Sequence, residues 1–172
     1  YATDPNANVP PITVTDSATP TAATNGTLTI NVTEPPTVTP IADIQGTGDT
    51  SPLVGQTVLT HGVVTAIYAE GGLNGFYIQT GGTGTGTDAT PGASDAIFVY
   101  GGGGFASKPE ATSLAIGDSV AVTGAVSEFA NTTQITYTLV EELATPLAAV
   151  TPLVISDWTL FDTDAEKEAH EG

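Results

Sequence analysis

The chain has 172 residues, of which 40% are hydrophobic, so it is long enough to bury one ordinary core. Its charge is one-sided: 19 acidic residues stand against two lysines, there is no arginine, and the formal net charge is −17. Proteins bind nucleic acid largely by neutralising phosphates with Lys and Arg, so tight binding to DNA, RNA or an anionic membrane is disfavoured. The absence of cysteine excludes disulfides, zinc–thiolate sites and cysteine nucleophiles.

The first 40 residues are rich in Thr, Pro and Asn. Apolar and polar residues alternate at 12–15 and 27–32, a period that is typical of half-buried strands. Prolines then make residues 35–40 a stiff, extended linker. We interpret residues 1–34 as the terminal strands of an immunoglobulin-like domain, with an extended arm as the alternative. We expect the chain to be a segment of a longer protein.

From residue 41 onward the pattern is that of a compact all-β domain. Five β-branched, alternating segments predict five strands, each bounded by Gly-rich turns. Gly62 and Gly124 fall inside two of these segments, where a strand that lacks a side chain can coil tightly. Such a set is what a small, partly open barrel requires. The predicted strands are residues 57–68, 75–80, 96–100, 119–128 and 133–140.

The carboxyl-terminal segment, residues 157–172, is predicted to be an acidic linker with helix-forming composition only at 164–170. Its alternating Asp162, Asp164 and Glu166 are the best candidates in the chain for a Ca²⁺ site, since Ca²⁺ takes oxygen ligands. They lack the glycine and the distal glutamate of a Ca²⁺ loop. The alternative is a solvated acidic surface.

Several blocks between residues 41 and 140 occur in the order of one known family. They are IADIQG at 41–46, SPLVGQTV at 51–58, GFYIQ at 75–79, SDAIFVY at 94–100 and IGDSVAVTGAVSEF at 116–129. The chain thereby resembles the OB-fold domain that lies upstream of an endonuclease/exonuclease/phosphatase domain in large secreted bacterial nucleases. The resemblance implies an all-β, five-stranded, OB-like, partly open barrel over residues 41–156 and an extracellular or cell-surface location. It also implies no catalysis by this segment, because the catalytic domain is not part of it.

Barrels of the OB type bind ligands on one sheet face through exposed aromatic and basic residues. With no arginine in the chain, direct strand binding is disfavoured and the aromatic residues carry the prediction. The alternative is that about half of these rings point into the barrel as core. The predicted ligand-binding residues are Tyr68, Phe76, Tyr77, Tyr100 and Phe129, with Phe98 also considered.

The leading hypothesis is a non-catalytic accessory OB-fold module of an extracellular nuclease-like protein, with a binding or spacing role. Its expected partners are other domains of the same polypeptide or neighbouring subunits, with weak or no nucleic-acid binding and no membrane insertion. One alternative is a structural cell-surface or filament subunit that assembles through its amino-terminal strands. Another is a calcium-dependent adhesion or carbohydrate-binding module. No catalytic residues are predicted, since His61 and His170 are too few and too distant for a metal triad.

Overall fold

The structure is a computed structural model that describes residues 36–84, 90–152, 154 and 162–168. All the elements below belong to the unit Pro35–Gly172. The predicted immunoglobulin-like strands lie outside the described residues, as does most of the predicted acidic linker. In chain order the elements are α1 (Ile41–Gln45), β1 (Thr57–Tyr68), β2 (Gly75–Gln79), β3 (Ala96–Tyr100), a 3-10 turn (Phe105–Ser107), α2 (Glu110–Ser113), β4 (Ser119–Phe129), β5 (Thr132–Glu142) and α3 (Asp164–Glu168).

The five strands form a closed barrel in the order β1-β2-β3-β5-β4. Every neighbouring pair is antiparallel except β3 and β5, which run parallel over Phe98–Tyr100 and Gln134–Thr136. The prediction of an all-β, five-stranded, OB-like barrel is therefore confirmed. The barrel is closed rather than partly open, because β4, the last strand in this order, also pairs with β1.

The core follows from the period-2 alternation of the strand sequences. One set of β-branched residues points inward and is almost fully buried, while the residues between them face outward. Burial of each such side chain contributes about 1.5–3 kcal/mol, so the barrel interior is the main source of stability. The inward set includes Ile97, Val99, Val120, Val122, Val126 and Ile135, as the alternation predicts.

Two glycines allow the strands to approach closely enough for this small barrel to close. At Gly124 the pairing register of β4 and β5 shifts, and a Cβ atom would lie 2.4 Å from the carbonyl oxygen of Thr136. At Gly62 a Cβ atom would lie 2.9 Å from the Cβ of Ile78 on β2. Gly62 and Gly124, both singled out in the sequence, therefore have to be glycine, because there is no space for a Cβ atom at either position.

Short helices and aromatic rings complete the core. α1 contributes the fully buried Ile41 and Ile44, and the 3-10 turn contributes Phe105, which stacks on Phe76 at 6.1 Å between centroids. The sequence predicts helix only at 164–170, where α3 is found. α1 and α2 have five and four residues, too few to show a helical period. No helix in the described part of the chain is long and apolar enough to cross a bilayer.

Extended segments on either side of the strands pair with the barrel. Val38, in the predicted linker, forms a parallel bridge with Leu59, and the Thr39 amide donates to the Leu59 carbonyl at 2.7 Å. After β5, the Thr151 amide donates to the Thr83 carbonyl at 3.0 Å. The end of the proline-rich stretch is thus hydrogen-bonded to β1.

Candidate ligand-binding cleft

A cleft of about 350 Å³ lies on the outer face of β2, β3 and β5. The loop between β1 and β2 borders it, and so does the turn between β4 and β5. Its volume falls within the range of small-molecule sites, about 300–1,000 Å³. The cleft is lined by Gly72, Leu73, Tyr77, Phe98, Tyr100, Phe129, Ala130, Thr132 and Gln134.

The floor of the cleft is a row of side chains that crosses three strands. Tyr77 on β2 is paired with Phe98 on β3, and Phe98 is paired with Gln134 on β5. The Tyr77 and Phe98 rings are 5.0 Å apart between centroids and tilted by 54°. The Gln134 Nε2 donates a long hydrogen bond, 3.4 Å, to the Ser127 hydroxyl on β4. The row therefore begins with two rings and ends with a side-chain amide.

A glycine on β2 determines how the Phe98 ring lies. A Cβ atom at Gly75 would be 2.6 Å from Cζ of Phe98 and 2.2 Å from the Val99 carbonyl oxygen. The ring thus lies against the β2 backbone and leaves only 7% of the residue exposed. Gly75 in this way lets the Phe98 ring form part of the apolar floor of the cleft.

The two bordering segments present exposed apolar side chains. Leu73 is 53% exposed and Phe129 is 71% exposed. Ala130 and Asn131 connect β4 to β5 with φ values of 51° and 67°, as in the type I′ turns that match strand twist. Together with Asn74, at φ 56°, they are the non-glycine residues with positive φ in the described part of the chain. Local backbone strain thus borders the cleft on both sides.

The predicted aromatic residues separate into three groups. Tyr77, Tyr100 and Phe129 line the cleft, as does Phe98. Tyr68 lies beside it, with its ring edge-on to Tyr77 at 6.1 Å, but is not part of the lining.

Phe76 differs from its predicted place among the ligand-binding residues, because its ring is fully buried in the core. Phe76 and Tyr77 are adjacent on β2, so the period of two that turns Tyr77 outward turns Phe76 inward.

The residues missed by sequence reasoning are the polar and aliphatic part of the lining. Gln134 precedes the inward-facing Ile135, so strand alternation predicts that it faces outward. Its place beside Phe98 depends on the parallel register of β3 and β5, which joins residues distant in sequence. Leu73 and Ala130 lie in turns, where no periodicity signals orientation.

Among residues 36–84, 90–152, 154 and 162–168, no charged side chain lines the cleft. The Lys108 ammonium lies 4.7 Å from the centroid of the Tyr137 ring, an inward-facing residue on β5. The Lys167 ammonium forms an ion pair with Asp164 at 3.0 Å, on α3. Both lysines of the chain are therefore engaged away from the cleft.

Two of the three predicted calcium ligands, Asp164 and Glu166, make local contacts at the start of α3. The Glu166 carboxylate accepts hydrogen bonds from the Thr163 amide at 2.8 Å and hydroxyl at 2.7 Å, and the Glu166 amide donates to that hydroxyl. This is a capping box at the start of α3. Asp164 pairs with Lys167. Among the described residues no three His, Cys, Asp or Glu side chains are grouped to hold a metal, and a site at Asp162, Asp164 and Glu166 stays a prediction.

One titratable group in the core has a shifted pKa. Burial raises the pKa of the Tyr137 hydroxyl to about 12, and the negative charge of Glu110 contributes in the same direction. Tyr137 packs against Phe76 and Phe105 with ring centroids 6.3 and 6.5 Å away. This tyrosine belongs to the core and not to the cleft.

Fold and site together define an OB-like barrel with an uncharged, aromatic outer cleft. No family model matches the chain, and no curated protein matches it. Among solved structures it is similar to the hypothetical protein YgiW from E. coli, with 14% sequence identity and a TM-score of 0.34 over 52% of this chain and 77% of that one. A similarity at this level carries no functional argument.

Proposed function

We propose that the chain is a non-catalytic, ligand-binding OB-like module that acts as an accessory part of an extracellular nuclease-like protein. The observation that carries the binding role is the aromatic cleft on the outer face of β2, β3 and β5. OB barrels use the face of strands 2 and 3, with the loops between strands 1 and 2 and between strands 4 and 5, to bind oligomeric ligands. The cleft occupies the equivalent surface.

The construction of the cleft supports binding. Its floor residues stand on paired strands, so their positions are fixed before any ligand arrives, and preorganisation lowers the entropic cost of binding. Its borders expose Leu73 and Phe129, whose apolar surface a ligand would remove from water. Large exposed apolar residues grouped around a concavity are typical of interaction sites.

The non-catalytic role is supported by the chemistry of the lining. The cleft offers aromatic rings, two of them tyrosines, with one amide and one threonine hydroxyl, and within the described residues its lining has no carboxylate, imidazole or amine, the commoner general bases. The nuclease-like, extracellular setting rests on the sequence resemblance over residues 41–140. In that setting the module binds or positions, and a separate domain performs catalysis.

The test is a titration of the isotope-labelled full chain, followed by NMR, against a panel of neutral oligosaccharides, oligo(dT) and a lysine-rich peptide. We expect at least one probe to shift the amide signals of Tyr77, Tyr100 and Gln134 and to leave those of the opposite wall, such as Thr123, unchanged. Assays with DNA, RNA and a phosphate ester in Mg²⁺ or Mn²⁺ should show no turnover. Metal-dependent turnover that follows the protein through repurification would refute the proposal. So would a panel in which no probe affects the cleft.

A further inference from the structure

We infer that the ligand of the cleft is a neutral oligosaccharide chain, which stacks on Tyr77, Tyr100 and Phe129 and hydrogen-bonds to Gln134 and Thr132. This inference rests on the proposed binding role and adds the chemical class of the ligand. It is carried by the combination of an aromatic floor, neutral polar groups and, in the part of the chain that the structure describes, a lining without charged side chains.

The shape and chemistry of the floor suit a polyhydroxylated ring. Sugar rings have apolar C–H faces that pack on aromatic rings and hydroxyl edges that exchange hydrogen bonds with amides and hydroxyls. Tyr77 provides a half-buried ring, the largely buried Phe98 ring lies beside it, and the Gln134 amide lies at the end of the same row. Adjacent strands are about 4.8 Å apart, so the row extends about 10 Å across the sheet. That length fits a short segment of a chain.

Charge argues against a nucleic-acid strand. Proteins that bind single strands combine stacking rings with a basic groove that follows the phosphates. Here Lys108 lies over the Tyr137 ring and Lys167 pairs with Asp164, so neither neutralises a phosphate at the cleft. The net charge of −17 adds repulsion of any polyanion.

The lining also argues against a basic peptide. Aromatic rings attract cations, but strong recognition of Lys or Arg adds a carboxylate that pairs with the charge. Among the described residues, no Asp or Glu lines the cleft. The polar groups present are neutral donors and acceptors, which match hydroxyl groups better than they match either sign of charge.

The experiment is calorimetric titration of the full chain at about 150 mM salt, where long-range charge effects are screened. The probes are the neutral hexasaccharides of β-1,4-glucose and β-1,4-N-acetylglucosamine and mannan and xylan oligomers. Charged comparators are hexagalacturonate, oligo(dT) and a lysine-rich peptide. We expect at least one neutral oligosaccharide to bind ten times or more tighter than each charged probe.

Two substitutions locate the site without threatening the fold. Phe129→Ala removes a ring that is 71% exposed, and Tyr100→Ala removes a half-buried ring on β3. Each should weaken oligosaccharide binding about tenfold or more, because the apolar face of a sugar ring loses the ring on which it packs. Leu139→Ala is the matched control, an exposed apolar residue on β5 outside the lining, and should leave the affinity unchanged. Thermal unfolding of each variant confirms that it is folded.

The outcomes separate this inference from the proposed function. Binding of oligo(dT) or the peptide to the cleft more tightly than any neutral oligosaccharide overturns the inference and leaves the binding role intact. Failure of every neutral oligosaccharide to bind also overturns it. Oligosaccharide binding that survives both Phe129→Ala and Tyr100→Ala would place the ligand elsewhere and overturn the assignment of the cleft.

Discussion

Thr60 points into the barrel from β1, and its hydroxyl has no hydrogen-bond partner among the described residues. A buried hydroxyl without a partner costs about 1–3 kcal/mol of desolvation. Thr60→Val should therefore raise the free energy of unfolding by about 1 kcal/mol, measured by urea denaturation. The control is Thr133→Val, because the buried Thr133 hydroxyl donates to Glu128 at 2.9 Å. That variant should be less stable than the wild type. If Thr60→Val and Thr133→Val lower the free energy of unfolding equally, the unpaired Thr60 hydroxyl does not destabilise the protein.

Tyr137 should make stability fall in strongly alkaline solution. Its pKa is raised from 10.0 to about 12 in the folded protein, mainly by burial. Between these values the unfolded chain loses the phenol proton and the folded chain keeps it, so the free energy of unfolding decreases as pH rises. Below pH 10 this stabilising contribution is fully present. The decrease between pH 10 and 12 should be smaller in Tyr137→Phe, measured by urea denaturation across that range. If the free energy of unfolding falls equally with pH in the wild type and in Tyr137→Phe, the raised pKa of Tyr137 does not cause the decrease.

At the scale of elements, the irregularity in the β4–β5 pair is a requirement of barrel closure. A Cβ atom on Gly124 would meet the Thr136 carbonyl oxygen at 2.4 Å and the Tyr137 Cα at 2.7 Å, both backbone atoms that cannot rotate away. Gly124→Ala should therefore lower the free energy of unfolding by about 1–3 kcal/mol or more, with a matching drop in melting temperature. Gly103→Ala is the control, since nothing lies within 4 Å of its Cβ position. A melting temperature for Gly124→Ala equal to that of the control would show that the pairing relaxes freely.

The elements that the sequence predicts well are those in which one local pattern determines the outcome. β1 and β3 have the predicted bounds because alternation begins and ends clearly at their turns. α1 and α2 were missed because they are shorter than two helical turns and are held by packing against the barrel.

The cleft could be predicted only in part. Its rings are visible in the sequence, and alternation assigns Tyr77 and Phe76 to opposite faces. Gln134 lies beside Phe98 because β3 and β5 pair in parallel, and no local sequence pattern predicts this non-local pairing. The lateral position of the Phe98 ring depends on the missing side chain of Gly75.

At the scale of the whole molecule, the described strands and core all belong to the unit Pro35–Gly172, which lies after a division at Glu34. A chain that begins at Pro35 should therefore stay folded and monomeric, with a melting temperature close to that of the full chain. One that begins at Ile41 should be less stable by about 1 kcal/mol, because it lacks the bridge from Val38 and the Thr39 hydrogen bond to Leu59. Thermal unfolding and light scattering of the three chains provide the comparison.

The competing hypothesis of a structural subunit predicts otherwise, since strands in residues 1–34 would complete the sheet of a neighbour. Polymers that form with the full chain and vanish in the chain from Pro35 would favour that hypothesis over an accessory module.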